Sequence, residues 1–172
     1  MKTVLLILLL LVQSDIKEDA ERVILSYFNR NVKMEFQKFE LPLEIKTKIE
    51  KECNQRFFNK SIYLWKIFDG DKWIGTAMLD NVLGKSLPIT FIVIFDIDGK
   101  ILTAEIIKYR ESYGNAVQEK SWLNQFKGKD INHQFKIGKD ISSISGATIS
   151  ANSVTTGIKK LSILFSLIKN GL

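Results

Sequence analysis

Ser145-Gly146-Ala147-Thr148-Ile149-Ser150 runs directly into a tail whose apolar residues are Val154, Ile158, Leu161, Phe165, Ile168 and Leu172. Steps of four and three between those apolar residues trace one stripe along a helix, which predicts a long amphipathic helix at the end of the chain. Ser150 is the expected N-cap, so the free backbone N–H groups of Ala151, Asn152 and Ser153 should point back toward the loop carrying Thr148. An anion held at Thr148 would then meet the positive end of the helix. Gly146 and Ala147 are small enough to let a bulky group approach the backbone, and Thr148 offers a hydroxyl that can be esterified. Taken alone, serine and threonine ahead of a helix are ordinarily caps. The reading of this stretch therefore depends on what surrounds it.

Upstream, Ile62 to Phe68 and Trp73 to Leu79 are rich in aromatic and branched residues and flank the turn signal Asp69-Gly70-Asp71-Lys72, which predicts a hairpin. A second pair, Ile89 to Phe95 and Ile101 to Tyr109, flanks Asp98-Gly99, again a sequence suited to positive φ. The centre of the chain is thus expected to be an antiparallel sheet. Asp15 to about Phe39 reads as one or two helices, and Pro42 opens another that ends near Gln55. Gln118 to Phe126 is expected to be a short helix with Trp122 and Phe126 on one side, followed by a polar loop reaching Asp140. This order predicts a single α+β domain with helices packed on one face of a sheet of hairpins, preceded by an N-terminal helical segment.

Met1-Lys2-Thr3 precedes an unbroken apolar run from Val4 to Val12, after which the chain turns polar at Gln13 and acidic at Asp15. A charged start, a short apolar run and an abrupt change of polarity predict an export signal over residues 1–14, with small-residue positions at Val12 and Ser14. The run is shorter than the roughly 20 residues that span a bilayer. The chain is accordingly divided into a signal (1–14), a helical segment (15–57) and a domain (58–172), with an extracytoplasmic destination.

Of the 172 residues, 45% are apolar, enough for a core without staples, and the single Cys53 excludes an internal disulfide. Cys53 lies in step with Ile45 and Ile49 and reads as a packed residue rather than a nucleophile. His133 is the only histidine, sits among polar loop residues, and no spacing suggests a metal. The net charge of +6 comes from scattered lysines rather than a patch, and no nucleic-acid motif accompanies it. No nucleic-acid partner is expected; a weak attraction to anionic lipid or to an acidic redox partner fits the charge better.

A second constellation, Tyr109-Arg110-Glu111-Ser112-Tyr113-Gly114-Asn115, ends a strand and opens a loop. Tyr113 is suited to an aromatic wall and Gly114 to clearance beside a flat ligand. The plainer alternative is a strand-ending turn in which Arg110 and Glu111 are solvated charges. Lys139 has the charge to neutralise a phosphate, as does any surface lysine.

From about Asp80 to Leu161 the chain resembles the FMN-binding domain of flavin-carrying subunits of the sodium-translocating NADH:quinone reductase, of its ferredoxin-linked relatives and of many small exported proteins. The resemblance runs, in order, through Asp80-Asn81-Val82-Leu83-Gly84-Lys85, Pro88-Ile89-Thr90, Phe95-Asp96 with Asp98-Gly99, and Tyr109 to Gly114. It continues through Gln125 to Lys129, Gly138 to Ile141 and Ser145 to Ser150. It implies FMN as cofactor, esterified through its phosphate to Thr148 and delivered from FAD by a separate FAD:protein FMN transferase. Ser145, Gly146, Ala147 and Ser150 are implied to frame the attachment point, and the loop carrying Tyr113 and Gly114 to lie near the isoalloxazine. One position departs from the family pattern: Ser142 stands where an aspartate six residues before the acceptor threonine is usual, and Asp140 lies two residues too early. Covalent, reversible and lost flavin attachment therefore all stay open. No catalytic side chain is evident, so the resemblance implies an electron-transfer flavoprotein working between a membrane-side donor and a downstream redox acceptor. The alternatives are a non-redox exported binding module and a reductase with reversibly bound FMN.

Overall fold

In the computed structural model, which describes residues 16–28 and 31–172, neighbouring residues along the central strands pack into two different cores. Ile62, Leu64, Met78, Val82, Phe91, Val93 and Phe95 join one. Trp65, Ile67, Ala77, Leu79, Ile92 and Ile94 join the other. A single-residue step along a strand changes the face, so both faces of the sheet are apolar and both must be covered.

The strands are β1 (Lys33–Glu40), β2 (Ser61–Asp69), β3 (Lys72–Leu83), β4 (Pro88–Phe95) and β5 (Ile101–Lys108), paired antiparallel in chain order as one five-stranded meander. Both expected hairpins are present. Gly70 takes φ +60° between β2 and β3, and Gly99 takes φ +99° between β4 and β5, conformations that glycine adopts without strain. The turn before Gly99 is held by Asp96, whose Oδ1 accepts the N–H groups of Asp98, Gly99 and Lys100, each at 2.9 Å.

The remaining elements are α1 (16–28), α2 (Leu43–Cys53), α3 (Lys120–Leu123, between two single 3-10 turns) and α4 (Thr148–Ile168). On one face of the sheet, α4 crosses β3 and β4 and carries α2 against its side. Val154, Ile158, Leu161 and Phe165, the stripe read from the sequence, are completely buried. At Gly157 a Cβ would lie 2.6 Å from Val82 Cγ1 and 2.8 Å from Phe91 Cζ, so the absent side chain lets the helix settle onto the sheet. Ile49 is buried, with Ile45 and Cys53 packed beside it, and burial pushes the Cys53 thiol up, away from reactivity.

The architecture is α+β, and it differs from the sequence reading in two respects. The first concerns the other face, which is not bare. There α1 buries Ala20 and Ile24, and Glu21 Oε1 accepts the indole N–H of Trp65 at 3.0 Å. Helices thus cover both faces rather than one. The second is β1, which occupies residues expected to extend a helix as far as Phe39. It is a charged edge strand paired along its whole length with β2. Its local pattern is weak; what holds it extended is the row of backbone donors and acceptors on β2, together with Phe36 against Tyr63 and Trp65 (ring centroids 5.4 and 5.2 Å). Lys and Glu along its free side discourage further strand addition. The expected export signal at residues 1–14 lies outside the described residues. Among the described residues, no helix is long and apolar enough to cross a membrane.

Candidate functional site

The two loops singled out from the sequence, although more than 30 residues apart, come together at the start of α4. Tyr109 is the tie: its hydroxyl donates to the backbone carbonyl of Tyr113 and lies 2.9 Å from Ser150 Oγ. A Cβ on Gly114 would lie 2.8 Å from Tyr109 Oη, 3.0 Å from Ser150 Oγ and 3.5 Å from Ala147 Cα. Gly114, at φ +83°, therefore gives clearance for the loop to reach the helix start rather than for a ligand.

Ser150 does not cap the helix. Its hydroxyl is spent on Tyr109, it is buried, and α4 begins two residues earlier with Thr148, preceded by Ala147 in the cap position. The first intrahelical bond runs from Ala151 N–H to Ala147 O at 2.8 Å, and no side chain caps the end. The outward amides are hence those of Thr148, Ile149 and Ser150, not of residues 151–153. Ala147 is buried, whereas Ser145, Gly146 and Thr148 are exposed. Gly146 has φ +76° and open space where a Cβ would stand. An esterifiable hydroxyl, an uncapped helix start and an open approach thus coincide at one position, the combination that holds an anionic group.

Arg110 and Glu111 are not solvated charges. Glu111 Oε1 accepts the backbone N–H groups of Leu87 at 2.9 Å and Ser86 at 2.5 Å, and these two bonds hold its carboxyl below the usual glutamate range. A Cβ at Gly84 would stand 2.6 Å from that same oxygen, so glycine makes room for the carboxylate. Arg110 Nη1 donates to Pro88 O and Thr90 Oγ1 at 3.0 and 2.9 Å. The β3–β4 turn is thereby tied to the loop that carries Tyr113. Tyr113 itself is 84% exposed.

Asp140 cannot stand in for the aspartate missing at 142. Its carboxylate accepts Phe135 N–H at 3.1 Å and Lys136 N–H at 2.8 Å and lies 3.5 Å from Lys129 Nζ. Partial burial opposes its ionisation, but those backbone bonds and Lys129 outweigh it and hold the carboxyl low. Ser142 is fixed through its backbone: its N–H donates to Gln125 Oε1 at 2.8 Å and its carbonyl accepts Trp122 Nε1 at 2.9 Å. The residue is exposed. Lys139 is exposed as well. His133 pairs with Asp130 at 2.9 Å, and no cluster among the described residues has the makings of a metal site.

Sequence comparison assigns the ligand class. Residues 84–162, which include every loop just described at the start of α4, match the FMN-binding domain. This segment is an FMN-binding domain. Its cofactor is FMN, and the exposed Thr148 hydroxyl, the small residues around it and the uncapped amides suit the terminal phosphate of that molecule. The fold is shared with the crystal structure of NqrC from Shewanella oneidensis, at 18% identity and a TM-score of 0.59, over 87% of this chain and 86% of that one. No curated protein matches the chain.

Two contacts made by α4 were not read from the sequence. Tyr109 was quoted only as the start of its loop, since nothing local reveals that its hydroxyl bridges to Ser150. Residues 54–58 carry no motif at all, yet lie against α4 through the bond from Gln55 Nε2 to Ser153 O at 3.1 Å.

Proposed function

We propose that the chain is an exported electron-transfer flavoprotein whose FMN is joined by a phosphoester to Thr148. The observation that carries this reading is the exposure of Thr148 at the first, uncapped turn of α4 within the FMN-binding domain. Bound FMN supplies one- or two-electron transfer at its ring. The chain supplies the anchor. In the attachment step the Thr148 oxygen forms a bond to the FMN phosphorus of FAD, the P–O–P bridge breaks, AMP leaves, and the hydroxyl proton passes to base or solvent. An FAD:protein FMN transferase is the catalyst proposed for this step. The outward amides of Thr148, Ile149 and Ser150 and the helix dipole stabilise the phosphate charge, a contribution of about 0.3–1 kcal/mol for an exposed group. Ser145 and Gly146 leave the approach open, Ala147 packs beneath it, and Ser150 with Gly114 braces the helix start. Tyr113 stands exposed at the rim as an aromatic face.

An ester tether suits an exported protein, because dissociation no longer limits occupancy where cytoplasmic flavin cannot replace a lost molecule. The proposed partners are a membrane-side donor and a downstream acceptor. Among the described residues, the side chains around Thr148 serve to hold the helix start and its loop, so the redox chemistry falls to the flavin itself.

Co-production with the transferase, followed by denaturation and intact-mass measurement, tests the reading. An added mass of one FMN less one water is expected, and it should vanish in Thr148→Val. Retention of the label in that variant would place the ester elsewhere.

A further inference from the structure

Four large apolar side chains that neither core claims stand 43–53% exposed at one end of the molecule: Phe58, Leu83, Leu87 and Ile149. They come from three separate parts of the chain. Leu83 and Leu87 flank the β3–β4 turn, which is closed by Gly84 N–H donating to Leu87 O at 2.9 Å and clamped by Glu111. Phe58 lines a cleft with Leu83, and Ile149 follows Thr148 in the first turn of α4. Apolar groups held out to water by a stapled turn contribute nothing to the fold, which marks them as a contact surface.

Basic side chains are set among them. Lys85 stands exposed between the two leucines, and the exposed Arg56 and Lys60 bracket Phe58. Glu111, the acid behind this turn, spends its carboxylate on the Ser86 and Leu87 amides. Apolar tips ringed by cations suit a surface that is apolar beneath an anionic layer. An acidic protein face would use the cations and leave the leucines without a partner.

The start of α1 points the same way. Ile16 lines a cleft with Ser61, Asn81 and Thr90, and Asn81 pairs with Thr90 next to the β3–β4 turn. The apolar run Val4 to Val12 therefore joins the fold at the end that carries Leu83, Leu87 and Thr148. On the export reading, this is the end that first faces the bilayer.

We propose that this end docks on an anionic lipid surface, with Phe58, Leu83, Leu87 and Ile149 entering the headgroup layer and Arg56, Lys60 and Lys85 pairing with lipid phosphates. Docking itself does not need the cofactor. Its use, to bring a flavin at Thr148 within reach of a membrane-side donor, rests on the function proposed above.

Leu87→Trp and Leu83→Trp test it in the exported, FMN-loaded chain. The vesicles hold equal parts of phosphatidylglycerol and brominated phosphatidylcholine, whose bromines quench an indole that enters the bilayer. Ile97→Trp is the control: Ile97 is exposed beyond the far end of β4, eight residues or roughly 26 Å away at ~3.3 Å per residue. Emission added by the new indole is expected to fall several-fold on vesicles in both leucine variants and to stay constant in the control. Lys85→Gln should weaken vesicle binding about fivefold. Quenching equal at both ends overturns the proposal, as does quenching at neither, the result for a surface that serves a protein partner. A Leu87→Trp indole already shielded from iodide before vesicles are added also overturns it, giving the surface to residues 1–15 or to a second copy of the chain. A chain that carries no FMN yet shows the quenching at both leucine positions sinks the flavin reading and keeps the docking surface.

Discussion

Lys160 and Asp80 meet in the core, 0% and 2% exposed, with Nζ 3.3 Å from Oδ2, a charge contact without hydrogen-bond alignment. Lys160 Nζ also donates to Arg56 O at 2.9 Å and sits 4.3 Å over the Phe57 ring. Burial pushes the Asp80 carboxyl above its usual range, and Lys160 offsets only part of that. Removing one partner strands the other charge, so Lys160→Met should destabilise the fold by about 3–5 kcal/mol in chemical denaturation, with much of the loss recovered in Asp80→Leu/Lys160→Met. At the surface, the carboxyl of Glu111 is held low by the Leu87 and Ser86 amides. A depressed acid stabilises the fold above its unfolded pKa, about 4.3, and loses that contribution as pH falls through the folded value. The thermal midpoint of Glu111→Gln should lie below the parent's at neutral pH, and the gap should close in acid. Ser142 is exposed and anchored by backbone alone, so Ser142→Asp is accommodated without repacking and should raise flavin labelling; unchanged labelling would show that serine suffices there.

Among the elements, α4 illustrates how packing overrides propensity. Alanine is worth about 1 kcal/mol more than glycine inside a helix, so propensity alone favours Gly157→Ala. The Cβ would strike Val82 and Phe91, however, and overpacking costs typically 1–3 kcal/mol. Gly157→Ala should therefore lower the denaturant midpoint; a rise would mean that the sheet yields easily. The stripe of α4, the α2 triad Ile45, Ile49 and Cys53, and both glycine turns were legible because their spacing or φ requirement is local. Its first residue was not. Ser150 has the chemistry of a cap, but the cap position is set by Tyr109, which arrives from β5 and takes the hydroxyl. Strand β1 was misread for a similar reason, since eight residues of low burial become a strand only when β2 presents its edge.

On the scale of the whole molecule, a sheet apolar on both faces requires two helical layers, and the chain supplies α1 for one and α2 with α4 for the other. The meander then brings the β3–β4 turn, the loop after β5 and the start of α4 to one end, where Thr148 stands open. Intact mass after co-production with the transferase, and again with Thr148→Val, reports on that end as a unit. From its sequence alone this protein has its α+β class, its hairpins, its last helix and the threonine within an FMN-binding domain, because these depend on spacing and residue type within short stretches. Only the tertiary structure decided that Ser150 braces rather than caps, that Glu111 holds a turn, that residues 33–40 are an edge strand and that the 54–58 loop is tied to α4 through Gln55. Each of those roles belongs to a pair of groups distant in the chain, and which partner a donor, a carboxylate or a strand edge meets is decided by how the layers pack.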